Sequence, residues 1–259
     1  MISKIEQTIS KIKSGRLTIG GWVQIVEPCI GKILSACGFD WVAVDLEHGT
    51  YNHKYLPAAF EAIHANDCLA LARLADNSEV AAKLALDAGA DGIIVPMINS
   101  KEDALRAVAA AKYPPEGTRG VGFSNASNFG KDFSSYFKSW NKRVVLIVQI
   151  EHIDGVKHLH DILTVDGVDG LLVGPYDLTG SMNITGNFDH PEFVKVMDKI
   201  KQTAQSTNKL LGVHIVPPDT AKAINKIKEG YNLIAYSIDT VVLWSHFSEA
   251  IREIKRNTE

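Results

Sequence analysis

Short runs of β-branched and aliphatic residues alternate with segments of helical period along the whole chain. That alternation limits the possible folds more than any other feature. The runs fall at residues 19–25, 41–45, 69–73, 92–97, 144–150, 170–173, 211–216 and 233–237. Several are apolar without alternation, as in Val144-Val145-Leu146-Ile147-Val148, the pattern of a strand covered on both faces. Between them lie helical patterns at residues 79–88, 101–112, 192–207 and 220–229; in the first, Val80, Leu84 and Asp87 recur at intervals of three or four. Repeated strand–helix units predict a parallel sheet, and eight of them predict a closed α/β TIM barrel, (β/α)₈. The chain has 259 residues, close to the ~250 that one such barrel needs, so a single domain over residues 1–259 is expected, with a helix before the first strand as a cap.

The helix-to-strand joints echo one another. Cys37-Gly38-Phe39-Asp40, Ala88-Gly89-Ala90-Asp91, Asp166-Gly167-Val168-Asp169 and Glu229-Gly230-Tyr231-Asn232 each carry glycine, then a polar residue two places on, then a strand. Glycine suits the left-handed position after a helix. An open doubly wound sheet is the competing topology. It calls for a GxGxxG turn opening a helix, and none is present.

The formal charge of −3 gives no electrostatic reason to expect nucleic acid or an anionic membrane as partner. Residues 1–13 lack the apolar stretch of a secretory signal, and no run approaches the ~20 apolar residues of a membrane span. A cytoplasmic protein is expected. Cys29, Cys37 and Cys68 form an odd set without CxxC spacing, read as buried small hydrophobes in a reducing compartment.

Two long connections, residues 113–143 and 174–191, read as strand-to-helix loops. In a barrel such loops form the catalytic face. Polar residues also gather where strands end. They are Asp45, Glu47 and His48 after the second strand, Arg73 after the third, Glu151 and His152 after the fifth, Asp177 after the sixth, His214 on the seventh, and Ser237 and Asp239 after the eighth. Such a ring is costly unless its members are paired or bind something.

Glu151 and Asp177 are two carboxylates at adjacent strand ends. They supply hard oxygen ligands for Mg²⁺, Mn²⁺ or Co²⁺, leaving room for water and a chelating substrate. The structural alternative for Asp177 is a helix N-cap. His48 is the best base candidate, because imidazole titrates near working pH. Arg73 can clamp a carboxylate or polarise a carbonyl. Asp87, in an otherwise apolar helix, is either a solvated residue or a partner orienting His48. Arg119, in a glycine-rich loop, either reaches an anionic substrate or orders that loop. Gly174 and Pro175 bring the backbone close to the metal edge, where the amides of Tyr176 and Asp177 can face a carboxylate. His214, on a barrel-facing register, can reach substrate; His152 follows a ligand and points away. Residues 123–138 and 181–188 are expected to shape the rest of the pocket.

These residues, in this order and spacing, resemble the HpcH/HpaI family of class II, metal-dependent pyruvate aldolases along nearly the whole chain. The matching stretches are Gly38-Phe39-Asp40-Trp41 leading to Asp45-x-Glu47-His48, then Val95-Pro96-Met97, Tyr113-Pro114-Pro115-x-Gly117-x-Arg119-Gly120-x-Gly122, Gln149-Ile150-Glu151, Gly174-Pro175-x-Asp177-Leu178, Asp189-His190-Pro191 and Asp239-Thr240. The resemblance implies cleavage of a 4-hydroxy-2-oxo acid to pyruvate and an aldehyde. It implies Glu151 and Asp177 as metal ligands, Arg73 as the substrate-binding arginine, His48 as the base and Asp87 as an acid paired to it. It places His214 at a pocket position that varies between relatives, and it implies a homohexamer joined through the terminal helices. Leu74 departs from the proline common after the arginine. Two alternatives are a decarboxylase or other carbon–carbon bond-forming enzyme using the same enolate, and a non-catalytic barrel serving as a binding module.

Overall fold

The computed structural model describes residues 2–50 and 52–258. Its strands are β1 (Thr18–Val23), β2 (Trp41–Asp45), β3 (Leu69–Arg73), β4 (Gly92–Val95), β5 (Val145–Ile150), β6 (Gly170–Val173), β7 (Leu210–Ile215) and β8 (Leu233–Tyr236). All pair in parallel and in sequence order, and β8 returns to β1 to close the barrel. The helices are α1 (Lys4–Lys13), α2 (Pro28–Ala36), α3 (Leu56–His64), α4 (Glu79–Ala88), α5 (Lys101–Ala111), α6 (Phe133–Arg143), α7 (Ile153–Lys157), α8 (Leu159–Leu163), α9 (Pro175–Ser181), α10 (Pro191–Ser206), α11 (Thr220–Lys228) and α12 (Asp239–Thr258). The eight expected strands are all present.

Alternation along each strand divides the core into two shells. Outward positions such as Val42, Val44, Leu146, Val148 and Ile234 pack under the helices. Inward positions such as Trp41, Leu69, Leu71, Val145, Ile147 and Leu210 fill the barrel. Trp41 lies across β1 at Gly20, where any Cβ would stand 2.0 Å from the indole, so only glycine fits there. Its Nε1 donates to Thr18 Oγ1 at 3.2 Å.

The echoed joints form the floor. Asp40, Asp91 and Asp169 each accept through a carboxylate oxygen from a backbone N–H of the preceding strand, at Ile19 (2.9 Å), Ala70 (3.0 Å) and Leu146 (2.8 Å). Asn232 Oδ1 does the same for Leu211 at 2.8 Å. Each of the four also donates its own backbone N–H to the carbonyl of that same residue. The cap α1 seats Ile9 and Ile12 against the inner core. It is pinned by Lys11–Asp40 at 2.7 Å and Lys13–Asp169 at 2.8 Å.

Three expectations are corrected. Residues 113–143 follow α5 and precede β5, so this long connection runs from helix to strand and lies at the floor rather than the mouth. Val80 and Leu84 are exposed, and α4 buries Ala82, Ala85 and Leu86 instead; the helical period was right, but it marked the outer face. Cys68 is buried, whereas Cys29 and Cys37 are exposed.

After β8 the chain leaves the barrel. Among the described residues of α12 only Asp239 is buried, and Trp244, Phe247, Ile251 and Ile254 stand in solvent. Asp239 accepts from the N–H groups of Gln24 and Ile25, both at 2.9 Å. Its carboxylate thus fastens the start of α12 to the end of β1 and is not available at the mouth. No helix among the described residues is long and apolar enough to cross a membrane.

Candidate active site

The period of two that fills the barrel with aliphatic side chains also builds its polar lid. One inward position beyond Ala43 is Asp45, one beyond Leu71 is Arg73, one beyond Ile147 is Gln149, and one beyond Gly212 is His214. Asp45 and Arg73 are register partners on β2 and β3. With Trp22, Gln24, His48, Glu151 and Asp177 they line a cavity of about 160 Å³ at the C-terminal ends of the strands.

Asp45 is the hub of the β1–β3 side. Its Oδ2 accepts from Trp22 Nε1 at 3.1 Å and Gln24 Nε2 at 3.2 Å. Its Oδ1 accepts from the backbone N–H groups of Glu47 and His48, both at 3.1 Å. Burial alone would raise its pKa, but the Trp22, His48 and Gln24 donors and the Arg73 charge outweigh it and hold the carboxyl below its ordinary range. Asp45 therefore fixes the turn that presents His48. That ring is exposed at the mouth and lines the cavity.

Arg73 is buried and reaches four oxygens. It donates to Gln149 Oε1 at 3.3 Å, Asp45 Oδ1 at 3.5 Å and Glu151 Oε1 at 3.4 Å, and it pairs with Glu47. Gln149 closes the circuit by donating Nε2 to Glu151 Oε1 at 2.8 Å.

Glu151 is buried and tethered at both oxygens, because Met97 N–H donates to Oε2 at 3.0 Å. Met97 takes the left-handed backbone, φ 53°, a conformation uncommon for a non-glycine residue. Burial raises the Glu151 pKa, and the Met97 N–H and Arg73 do not fully offset it; Glu47 and Asp177 add repulsion. Glu47 is raised for the same reasons, with burial foremost.

Asp177 sits in the first turn of α9, whose N-cap is Gly174. It is exposed and is not an N-cap, so the structural alternative for this carboxylate falls away. Pro175 at the first helical position has no N–H to satisfy, and the N–H groups of Tyr176 and Asp177 lie where a helix offers them no internal acceptor. Gly174 allows close approach, since a Cβ there would stand 2.6 Å from Glu151 Oε1.

Three carboxylates, Asp45, Glu151 and Asp177, thus line one cavity with a single guanidinium, and a fourth, Glu47, pairs with that guanidinium beside it. An excess of negative charge of this kind, with Asp45 and Glu151 buried, favours a cation. Glu151 and Asp177 offer hard oxygens suited to Mg²⁺, Mn²⁺ or Co²⁺. Among the described residues no group of three or more His, Cys, Asp or Glu is placed to hold an ion.

Other expected site residues are not brought to the mouth. Asp87 lies in the last turn of α4 and Arg119 in the floor connection, where they pair at 2.7 Å. Arg119 is fully buried, with its guanidinium carbon 4.6 Å from the ring centroids of both Tyr113 and Trp140. Within this chain, then, Asp87 does not orient His48, Arg119 does not face the cavity, and residues 123–138 do not shape it. His152 caps α7, accepting from Asp154 N–H at 3.2 Å. Residues 181–188 do stay at the mouth side, where Phe188 meets Tyr176 edge-on at 5.0 Å. Trp22, Gln24 and Gln149 were not anticipated. Gln149 was legible two places before Glu151 on one strand face; Trp22 and Gln24 sit on the inward register of the first run.

The family model for "HpcH/HpaI aldolase/citrate lyase" matches residues 18–245. A 5-keto-4-deoxy-D-glucarate aldolase of Citrobacter koseri is 34% identical over 230 residues, 89% of each chain. Among solved structures, an HpcH/HpaI aldolase/citrate lyase family protein from Burkholderia cenocepacia superposes with a TM-score of 0.90 at 29% identity, covering 96% of this chain and 99% of that one. An HpcH/HpaI aldolase from Desulfitobacterium hafniense gives 0.87 at 27% identity, covering 95% of each.

Proposed function

This chain belongs to the HpcH/HpaI aldolase/citrate lyase family, and from that premise we propose that it is a carbon–carbon lyase, a class II aldolase cleaving a 4-hydroxy-2-oxo acid to pyruvate and an aldehyde. The observation that carries the reading is the set of carboxylates Asp45, Glu151 and Asp177 lining one cavity with Arg73, with Glu47 paired to that arginine and Glu151 tethered beside Gly174. Glu151 and Asp177 would hold a divalent metal, Mg²⁺, Mn²⁺ or Co²⁺. When bound, the ion supplies Lewis-acid stabilisation of the charge left on the 2-oxo acid as the C3–C4 bond breaks.

The chain's own residues do the rest. Arg73 is oriented by Gln149 and Asp45 and donates to the keto oxygen as negative charge gathers there. The first-turn N–H groups of Tyr176 and Asp177 receive the substrate carboxylate. His48, presented by the Asp45-held turn, takes the proton from the C4 hydroxyl. No lysine lines the cavity among the described residues, so the amine that a Schiff-base route needs is missing.

The partners of this reading are small molecules, a 2-oxo acid and an aldehyde, and the compartment is the cytoplasm, in keeping with the exposed thiols of Cys29 and Cys37. The apolar face of α12 supports association of copies, a hexamer by resemblance to the family. The test is pyruvate release from 4-hydroxy-2-oxo acids with and without metal. Full cleavage by EDTA-treated protein with no bound metal would overturn the mechanism; turnover of oxaloacetate but no aldol substrate would favour a decarboxylase.

A further inference from the structure

His214 projects into the barrel from β7 and packs on Trp22, with ring centroids 4.6 Å apart. It lines the same cavity as Arg73, Glu151 and Asp177, on β7, between β6 and β8 and across the barrel from β3. Its Nε2 stands 3.1 Å from the carbonyl oxygen of Ser237. A carbonyl can only accept, so Nε2 carries the hydrogen. Burial holds the His214 pKa down to about 4, which keeps the ring neutral with one N–H. Nδ1 is therefore a lone pair, and no donor within the described residues satisfies it.

The neighbouring groups do not fill that role from the protein side. Trp22 Nε1 and Gln24 Nε2 donate to Asp45, and Ser237 Oγ donates to the Val216 carbonyl at 2.9 Å. Arg73, the one permanent cation lining the cavity, is engaged by Asp45, Glu47 and Glu151. This wall thus presents a hydrogen-bond acceptor with no free cation beside it, and the second N–H of Gln24 Nε2 is left as a donor next to it. For a substrate held at Arg73, Glu151 and Asp177, the group complementary to a lone pair on this wall is a hydroxyl.

We propose that His214 Nδ1 accepts a hydrogen bond from a hydroxyl on the aldehyde half of the substrate, so that the site selects α-hydroxyaldehydes over their deoxy counterparts. The proposal rests on the aldolase reading above and assigns His214 a role in specificity.

The test compares pyruvate addition to glycolaldehyde and to acetaldehyde with Mn²⁺, for the wild type, His214→Leu, His214→Phe and His214→Asn. One neutral hydrogen bond corresponds to about tenfold in kcat/KM. The glycolaldehyde-to-acetaldehyde ratio should fall by about tenfold in both the Leu and Phe variants; Phe keeps the ring volume against Trp22. It should be largely retained in the Asn variant, whose amide oxygen is again an acceptor near the Nδ1 position. An unchanged ratio in the Leu and Phe variants overturns the proposal. Exchange of the pyruvate methyl protons is followed in parallel. Exchange with an unchanged ratio sinks the specificity role alone, whereas no exchange by the wild type with Mg²⁺, Mn²⁺ or Co²⁺ removes the aldolase reading and this role with it.

Discussion

Gly174→Ala adds one carbon at the most crowded point of the site. The new Cβ would stand 2.6 Å from Glu151 Oε1 and 2.7 Å from Glu151 Cγ, where real Cβ contacts essentially never fall under 3.0 Å. The backbone itself offers no objection, since Gly174 has φ −96° and ψ 91°, an extended conformation open to alanine. The whole effect therefore falls on Glu151, whose carboxylate must retreat by about 0.4 Å. It cannot do so freely, because Gln149 Nε2 holds Oε1 at 2.8 Å and Met97 N–H holds Oε2 at 3.0 Å. Losing one such charge-assisted bond costs about 1.5–3 kcal/mol, which converts to a ten- to hundredfold weaker hold on a metal ion. Isothermal titration with Mn²⁺ measures that affinity, and thermal melting of the metal-free protein should move little. A Gly174→Ala variant that binds Mn²⁺ as tightly as the wild type would refute the placement of Glu151 as a ligand pressed against this turn.

Three further outcomes are expected. Glu151 has a raised pKa, chiefly from burial, and a protonated carboxyl is a poor ligand; Mn²⁺ affinity should therefore weaken on acidification before an ordinary carboxylate would begin to protonate, and an affinity flat from pH 7 to pH 5 would contradict this. His64 is lowered by burial but raised further by the hydrogen bond and charge of Asp91, for a net rise. Its stabilising effect is thus complete below the unfolded pKa of about 6.5 and lost as pH climbs through the folded value. The stability difference between wild type and His64→Leu, at most about 1 kcal/mol for a partly exposed pair and read from thermal melting, should shrink between pH 6 and pH 8, and a gap widening toward alkaline pH would be wrong in sign. Replacing both Trp244 and Phe247 of α12 by serine should lower the oligomeric mass seen by light scattering; an unchanged mass would move the interface elsewhere.

Strand positions were legible because each run is short, apolar and bounded by glycine or polar punctuation; residues 41–45, 69–73 and 170–173 coincide with β2, β3 and β6. The mouth was legible for a related reason, because charged side chains at the ends of buried strands have few structural excuses. Which end of the barrel a loop occupies was harder to read. Residues 113–143 carry the glycine and arginine of a binding loop, yet α5 stands between them and β4, which sends them to the floor. Arg119 followed that error, since its sequence position does not reveal a guanidinium sandwiched between Tyr113 and Trp140 and paired with Asp87. The backbone contribution of Met97 was also hidden, because a left-handed φ at a methionine has no signature in residue type.

The four floor bonds repeat with a period of two strands rather than one. Asp40 ties β2 to β1, Asp91 ties β4 to β3, Asp169 ties β6 to β5 and Asn232 ties β8 to β7. The side-chain clasps therefore mark out four like quarters, each a strand–helix–strand–helix module, and the carbonyls of the same residues join each quarter to the next strand. A chain divided between Arg143 and Val144 leaves two intact clasps in each fragment. Co-expressed fragments split there should reassociate into an intact barrel. A split between β1 and β2 severs a clasp and should not be rescued.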